Sequence, residues 1–250
     1  GGSWFVRRLQ QVAPPPEVCS VLLRGRGQLS DMYLAEGERL APGACEVEVR
    51  VCAVGLNFRD VLNVLGEYPG DPGHPGADFA GVVTAVGAGA QRFTVGDRVF
   101  GVAMGSLKAY ALTHVSLIRE LPPTMKYAEG ASLPTLITTV HHSLVELACL
   151  SKGQRVLVHA GAGGVGLTAI HYAQMLGCEV IATAGSKTKV EYLEKLGVRL
   201  IASSRDVASF ESSMATFGKV DVVVNSLSGD FIRISLRALK EGGHFCEIGR

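Results

Sequence analysis

Residues 161–166, GAGGVG, follow the apolar run RVLVHA and precede a segment in which Leu167, Ile170, Ala173 and Leu176 recur at helical spacing. Strand, glycine-rich turn, then helix is the setting in which G-x-G-x-x-G holds a dinucleotide. Gly161 is expected to permit the tight turn, Gly163 to let the backbone approach a pyrophosphate, and Gly166 to let the helix lie against the strand. The helix N-terminus would face the anion. The candidate loop is therefore Gly161, Ala162, Gly163, Gly164, Val165 and Gly166. A glycine-rich turn that binds nothing is the competing reading. An NAD site would put Asp or Glu at the end of the next strand, to bond the ribose 2′-hydroxyl. Here that place reads TAGSKTK, with a hydroxyl at Ser186 and ammonium groups at Lys187 and Lys189. Glu179 opens that strand instead of ending it, and so falls at the wrong edge. The cations suit a 2′-phosphate, which makes NADPH the expected cofactor. The alternative, two lysines on an exposed first helical turn, conflicts with the helix dipole, which disfavours cations there unless an anion is present.

Two kinds of segment must position these residues. Up to about residue 125 the chain runs in short period-two stretches, CEVEVRVCAVG (45–55), FAGVVTAVGAG (79–89), GDRVFGVAM (96–104) and KAYALTHVSLIREL (108–121), with Gly, Pro and Asp between them. That pattern predicts an antiparallel β-rich domain, read as a partly open barrel. From 126 onward apolar strands alternate with helical segments at 164–177, 187–196, 206–217 and 229–240, and GHFCEIG closes the series. The fold class is therefore α/β, with a doubly wound parallel sheet in the second half. Such sheets usually have six strands, and Arg250 directly follows the fifth. The second domain is accordingly expected to be incomplete.

Composition removes several classes. Lys plus Arg number 24 against 23 Asp plus Glu, which leaves no electrostatic footprint for nucleic acid. The longest weakly polar run, VLVHAGAGGVGLTAI, is too short to cross a bilayer. The opening GGSWFVRRLQ has neither an initiator Met nor the order of a signal peptide, so a piece of a longer chain is expected. Six cysteines stand singly. They are expected as buried small hydrophobes in a reducing, cytoplasmic setting, more than as disulfides or zinc ligands.

Seven stretches carry a resemblance: GLNFRDVLNVLGEYPG (55–70), PGADFAGVVTAVGAG (75–89), GDRVFG (96–101), VHAGAGGVG (158–166), IASSRD (201–206), VDVVVNSLSGDFIRISLRAL (220–239) and GGHFCEIGR (242–250). With them the chain resembles the medium-chain dehydrogenase/reductase superfamily, and within it the enoyl reductase domains of type I polyketide and fatty acid synthases. The resemblance implies a linker over 1–18, a GroES-like β-rich domain over 19–125 and an NADP-binding Rossmann domain over 126–250. It also implies NADPH-dependent saturation of 2-enoyl thioesters on an acyl carrier protein, with neighbouring synthase domains as partners; a homodimer is compatible with it. SWFVRRL (3–9) resembles the linker before such domains.

The same resemblance puts Asn57 and Thr139 near the nicotinamide and makes NSLSG, with Asn225, Ser226 and Leu227, a loop over it. Lys189 and Asp206 match the pair proposed for protonation in the family, although Lys189 is also a phosphate candidate and Asp206 could instead cap the helix VASFESS. Tyr68, in GEYPG, matches a position beside the substrate's α-carbon, with packing in a turn as its other reading. Metal-dependent relatives bind catalytic zinc where Asn57 and Ala77 stand, so no catalytic zinc is expected, and His74 reads as a loop residue. His141-His142 is expected to pack. A free-standing NADPH-dependent quinone or enone reductase, and a cofactor-binding fragment without turnover, remain as alternatives.

Overall fold

The computed structural model describes residues 17–249; most of the expected linker over 1–18 lies outside them. The chain divides into two compact units after Pro134.

In the first unit β1 (Cys19–Leu23) pairs antiparallel with β2 (Met32–Glu36). A five-stranded sheet is then built from β3 (Glu46–Gly55), β4 (Asp78–Val86), β5 (Arg98–Val102), β6 (Tyr110–His114) and β7 (Ile118–Glu120). Its order is β6-β3-β4-β5-β7 and every pair is antiparallel, the arrangement in which one buried and one solvated face commonly give period two. Val47, Val49, Phe79, Val83, Val99 and Ile118 form its core. Glu48, between Val47 and Val49 on β3, is also buried, and its carboxylate is met by the Arg39 guanidinium and by the Thr84 hydroxyl at 2.7 Å. The hydrogen bond from Arg39 holds that carboxyl below its usual range. Helix α1 (Phe58–Leu65) sits between β3 and β4 in the chain. Helix α2 (Tyr127–Ala131) packs on β3, β4 and β5, which is why the division falls after Pro134 and not at the change of rhythm near 126.

The second unit opens with α3 (Pro134–Val140), which runs into a π-helical segment, His141–Leu147. Strands and helices then alternate: β8 (Arg155–Val158), α4 (Gly164–Leu176), β9 (Glu179–Ala184), α5 (Lys187–Lys195), β10 (Leu200–Ser203), α6 (Val207–Phe217), β11 (Val220–Asn225), α7 (Asp230–Ala238) and β12 (Leu239–Glu247). The sheet is parallel throughout, in the order β10-β9-β8-β11-β12. Both faces are covered. Val156, Val158, Ala182 and Val222 meet Ile170, Ala173 and Leu193 of α4 and α5. Leu157, Ile181 and Val223 meet Phe210, Met214, Ile234 and Ala238 of α6 and α7. Each large side chain so buried contributes roughly 1.5–3 kcal/mol. The strand order reverses between β8 and β11, and ligands of such sheets bind outside the carboxyl ends of the strands at that point.

The cysteine expectation needs correction: Cys246 is buried, Cys19 and Cys178 are partly buried, and Cys45, Cys52 and Cys149 are exposed. Cys52 lies at the register shift of β3 against β4, between Val51 and Ala53, and is exposed there. Among the described residues no helix is long and apolar enough to cross a membrane.

Candidate functional site

The loop between β8 and α4 has a backbone the sequence did not reveal. Its left-handed residue is Ala160, with φ of 47°, so the sharp turn falls on an alanine and not on Gly161. Gly161 instead lies over the sheet, where a Cβ would come 2.9 Å from Ala182 Cβ and 3.2 Å from Leu193 Cδ1. Gly166 has the role expected of it: a Cβ there would sit 2.5 Å from the Ala160 carbonyl oxygen and 2.8 Å from Gly161 Cα. Gly163 and Gly164 are exposed, Ala162 and Val165 partly so, and the α4 N-terminus starts at Gly164. The amides of that first turn are the ones a helix leaves unsatisfied. Gly166→Ala should force the loop away from α4, lowering stability by about 1–3 kcal/mol and weakening dinucleotide binding by about tenfold or more; urea unfolding and fluorescence titration read the two effects.

Beside the loop lies a cavity of about 280 Å³ whose far wall is formed by Gly185, Ser186, Lys189, Ser204 and Arg205. Leu227, two residues beyond the end of β11, also reaches it. Lys187 does not line it; its ammonium points to solvent, 3.9 Å from Glu191. Arg205 was not singled out from the sequence. Its Nε lies 2.9 Å from where a Cβ on Gly185 would stand, so the glycine makes room for the guanidinium. Glu179 lies at the opposite edge, paired with Arg155.

Asp206 precedes α6 and accepts the Ser209 amide at 2.9 Å, the geometry of a helix cap. Asn225 is fully buried; its Nδ2 donates to the Leu227 carbonyl at 2.8 Å and to Glu247 Oε2 at 2.7 Å, fixing the turn after β11. In that turn the buried Ser226 Oγ has no hydrogen-bond partner among the described residues, an orphaned polar atom next to Leu227 of the cavity wall. Thr139, with Thr138, His142 and Glu247, lines a separate cavity of about 600 Å³, and its carbonyl accepts the Ser143 hydroxyl at 2.7 Å. In the first unit Asn57 precedes α1; its amide N–H donates to Asp60 at 2.9 Å and its Nδ2 to the buried Asp78 at 3.1 Å. Tyr68 is partly buried, with the Arg59 guanidinium 5.2 Å from its ring centroid. His141 and His142 do not pack as expected. Both are exposed on the π-helical segment, with His142 Nδ1 2.6 Å from Glu146.

Residues 43–123 match the family described as alcohol dehydrogenase GroES-like domain, and residues 164–250 the family described as zinc-binding dehydrogenase. The crystal structure of CurK enoyl reductase superposes with a TM-score of 0.89 at 37% identity, over 94% of this chain and 75% of that one. The chain belongs to the enoyl reductases of the medium-chain dehydrogenase/reductase superfamily. This enoyl reductase chain is also 44% identical to the spectinabilin polyketide synthase system protein NorB of Streptomyces orinoci, over 95% of its own length and 11% of that protein. It thus spans about a tenth of the length of that curated relative. Mycobacterial Rv1454c complexed with NADPH matches with a TM-score of 0.83 at 26% identity, over 93% of the enoyl reductase chain and 74% of Rv1454c.

A nicotinamide dinucleotide fits this chain: the loop amides at the start of α4 and the glycine cradle answer to one. Zinc does not fit. Among the described residues no three His, Cys, Asp or Glu side chains gather as a metal-holding group, where zinc needs three or four such donors.

Proposed function

We propose that this chain is the enoyl reductase domain of a polyketide or fatty acid synthase, reducing the 2,3 double bond of an enoyl thioester on an acyl carrier protein with NADPH. Neighbouring synthase domains would be its partners, as the large synthase relatives suggest. The observation that carries the cofactor part is the basic wall at the end of β9, where Ser186, Lys189 and Arg205 converge on one cavity and an NAD site would present an acid.

When bound, NADPH supplies the hydride that adds to the β-carbon of an electron-poor C=C conjugated to a carbonyl. The chain's own work is to hold the dinucleotide, steady the charge that collects on the carbonyl oxygen and deliver a proton to the α-carbon. The first-turn amides of α4 take the pyrophosphate, and Lys189, Arg205 and Ser186 take the 2′-phosphate. In the second unit Thr139 and the Asn225–Leu227 turn are the candidates that would orient the nicotinamide; in the first unit the candidate is Asn57, steadied by Asp78. Of the sequence candidates for the proton, Tyr68 is the one we retain. Lys189 serves the phosphate, and Asp206 spends its carboxylate on the α6 cap.

A crotonyl thioester on a carrier-protein mimic tests the reading, with loss of reduced-nicotinamide absorbance as the signal. Turnover with NADPH well ahead of NADH is expected. Reduction of quinones but not of the thioester would replace this reading with that of a quinone reductase, the activity named for a Pseudomonas syringae structure 30% identical to the chain.

A further inference from the structure

Ala160 holds a left-handed conformation that L-residues avoid, so something must hold the loop there. Its amide donates to Thr183 Oγ1 at 3.0 Å, and the next amide, Gly161, donates to the Thr183 carbonyl at 2.8 Å. One residue of β9 therefore takes two successive amides of the loop. Having accepted from Ala160, the Thr183 hydroxyl has its own proton to give, and His159 Nδ1 lies 3.3 Å away. A Thr183 hydroxyl that donates to Nδ1 leaves the imidazole proton on Nε2, 2.8 Å from Ser235 Oγ on α7. Thr183 and Ser235 are fully buried and His159 nearly so. Burial pushes the imidazole down to about 4, which keeps it in the neutral form this arrangement needs. The Phe210 ring, 5.4 Å away between centroids, fixes its plane.

We propose that the buried chain Ser235–His159–Thr183 holds Ala160 in its left-handed state and so sets the cofactor loop, making His159 and Thr183 positioning residues for the dinucleotide. The dinucleotide part rests on the NADPH reading above; the loop part does not. Thr183 lines the cavity beside the loop and His159 does not; the role proposed for both is to set the direction in which the loop amides point.

Backbone amide exchange in the free chain reads the loop without any cofactor. Measured against the amides of β8, those of Ala160 and Gly161 should exchange about tenfold faster in Thr183→Val, the size of effect one lost hydrogen bond gives, and Thr183→Ser should restore them. Ser235→Ala leaves the loop's own contacts in place and carries the test if Thr183→Val does not fold; about threefold faster Ala160 exchange is expected from it. Exchange at wild-type rates in the folded variants would overturn the proposal. The second reading is NADPH affinity. Thr183→Val should weaken it about tenfold, and by clearly less in an Ala160→Gly background, because glycine takes the left-handed state unaided. An equal loss in both backgrounds would overturn the positioning role. If the unaltered chain binds no NADPH, the cofactor reading fails and the exchange rates still decide the loop.

Discussion

Replacing Lys189 and Arg205 together with alanine should lower the preference for NADPH over NADH by about a hundredfold while leaving NADH affinity within about a factor of two. Both cations are exposed at the rim, so each contact with a phosphate is screened, and about tenfold per residue is the effect expected of an accessible charge-assisted hydrogen bond. Screening supplies a second signature: the preference should shrink as salt rises well above about 0.1 M, where the Debye length falls below about 10 Å. Arg205→Ala alone should account for about half of the effect on a logarithmic scale. Parallel titrations of the two cofactors measure all of this. Equal weakening of NADPH and NADH would mean that the pair shapes the loop and does not read the phosphate.

Arg205 also marks where sequence reading ended. The period-two runs and the strand-helix alternation made both sheets legible, and the helix over 164–177 appears as Gly164–Leu176 with Ile170 and Ala173 buried where the spacing put them. These are local regularities, set by how side chains repeat along a strand or helix. Arg205 became a site residue because β10 lies beside β9 and Gly185 leaves a gap, a neighbourhood that no spacing within SSRD encodes. The strand pair β1–β2 and the helices α2 and α3 were passed over because each is short. The backbone of Ala160 was hidden for a different reason. An alanine among glycines reads as filler, and its partner Thr183 is distant in the chain. Sequence pattern thus located the loop, and tertiary contact decided which residue bears its strain.

The stability of the second unit should fall by about 3 kcal/mol as pH drops from about 6.5 to about 4, through His159 alone. The imidazole is 2% exposed, and its neighbours are the Thr183 and Ser235 hydroxyls and the Phe210 ring, none of which offers a negative charge. Burial lowers it to about 4 from the ordinary 6.5. Between those values the unfolded chain binds a proton that the folded chain refuses, and stability rises with pH wherever the unfolded state binds more protons. Above about 6.5 both states are neutral and the effect vanishes; below about 4 both are charged and the loss is complete. At about 1.4 kcal/mol per pKa unit, the shift corresponds to the figure given. Asp221 and Glu146, whose carboxyls in the same unit are also held low, add their own losses as they protonate at the acid end. The slope between about pH 6.5 and 5 is therefore the clean window for the histidine. Urea unfolding of the native chain and of His159→Gln across that window separates them: the native midpoint should decline and the glutamine variant's should stay nearly level. Parallel declines would assign the acid sensitivity to other groups. Down to about pH 4 the folded chain keeps His159 neutral, so the Thr183 hydroxyl keeps its acceptor and cofactor affinity should hold over that range.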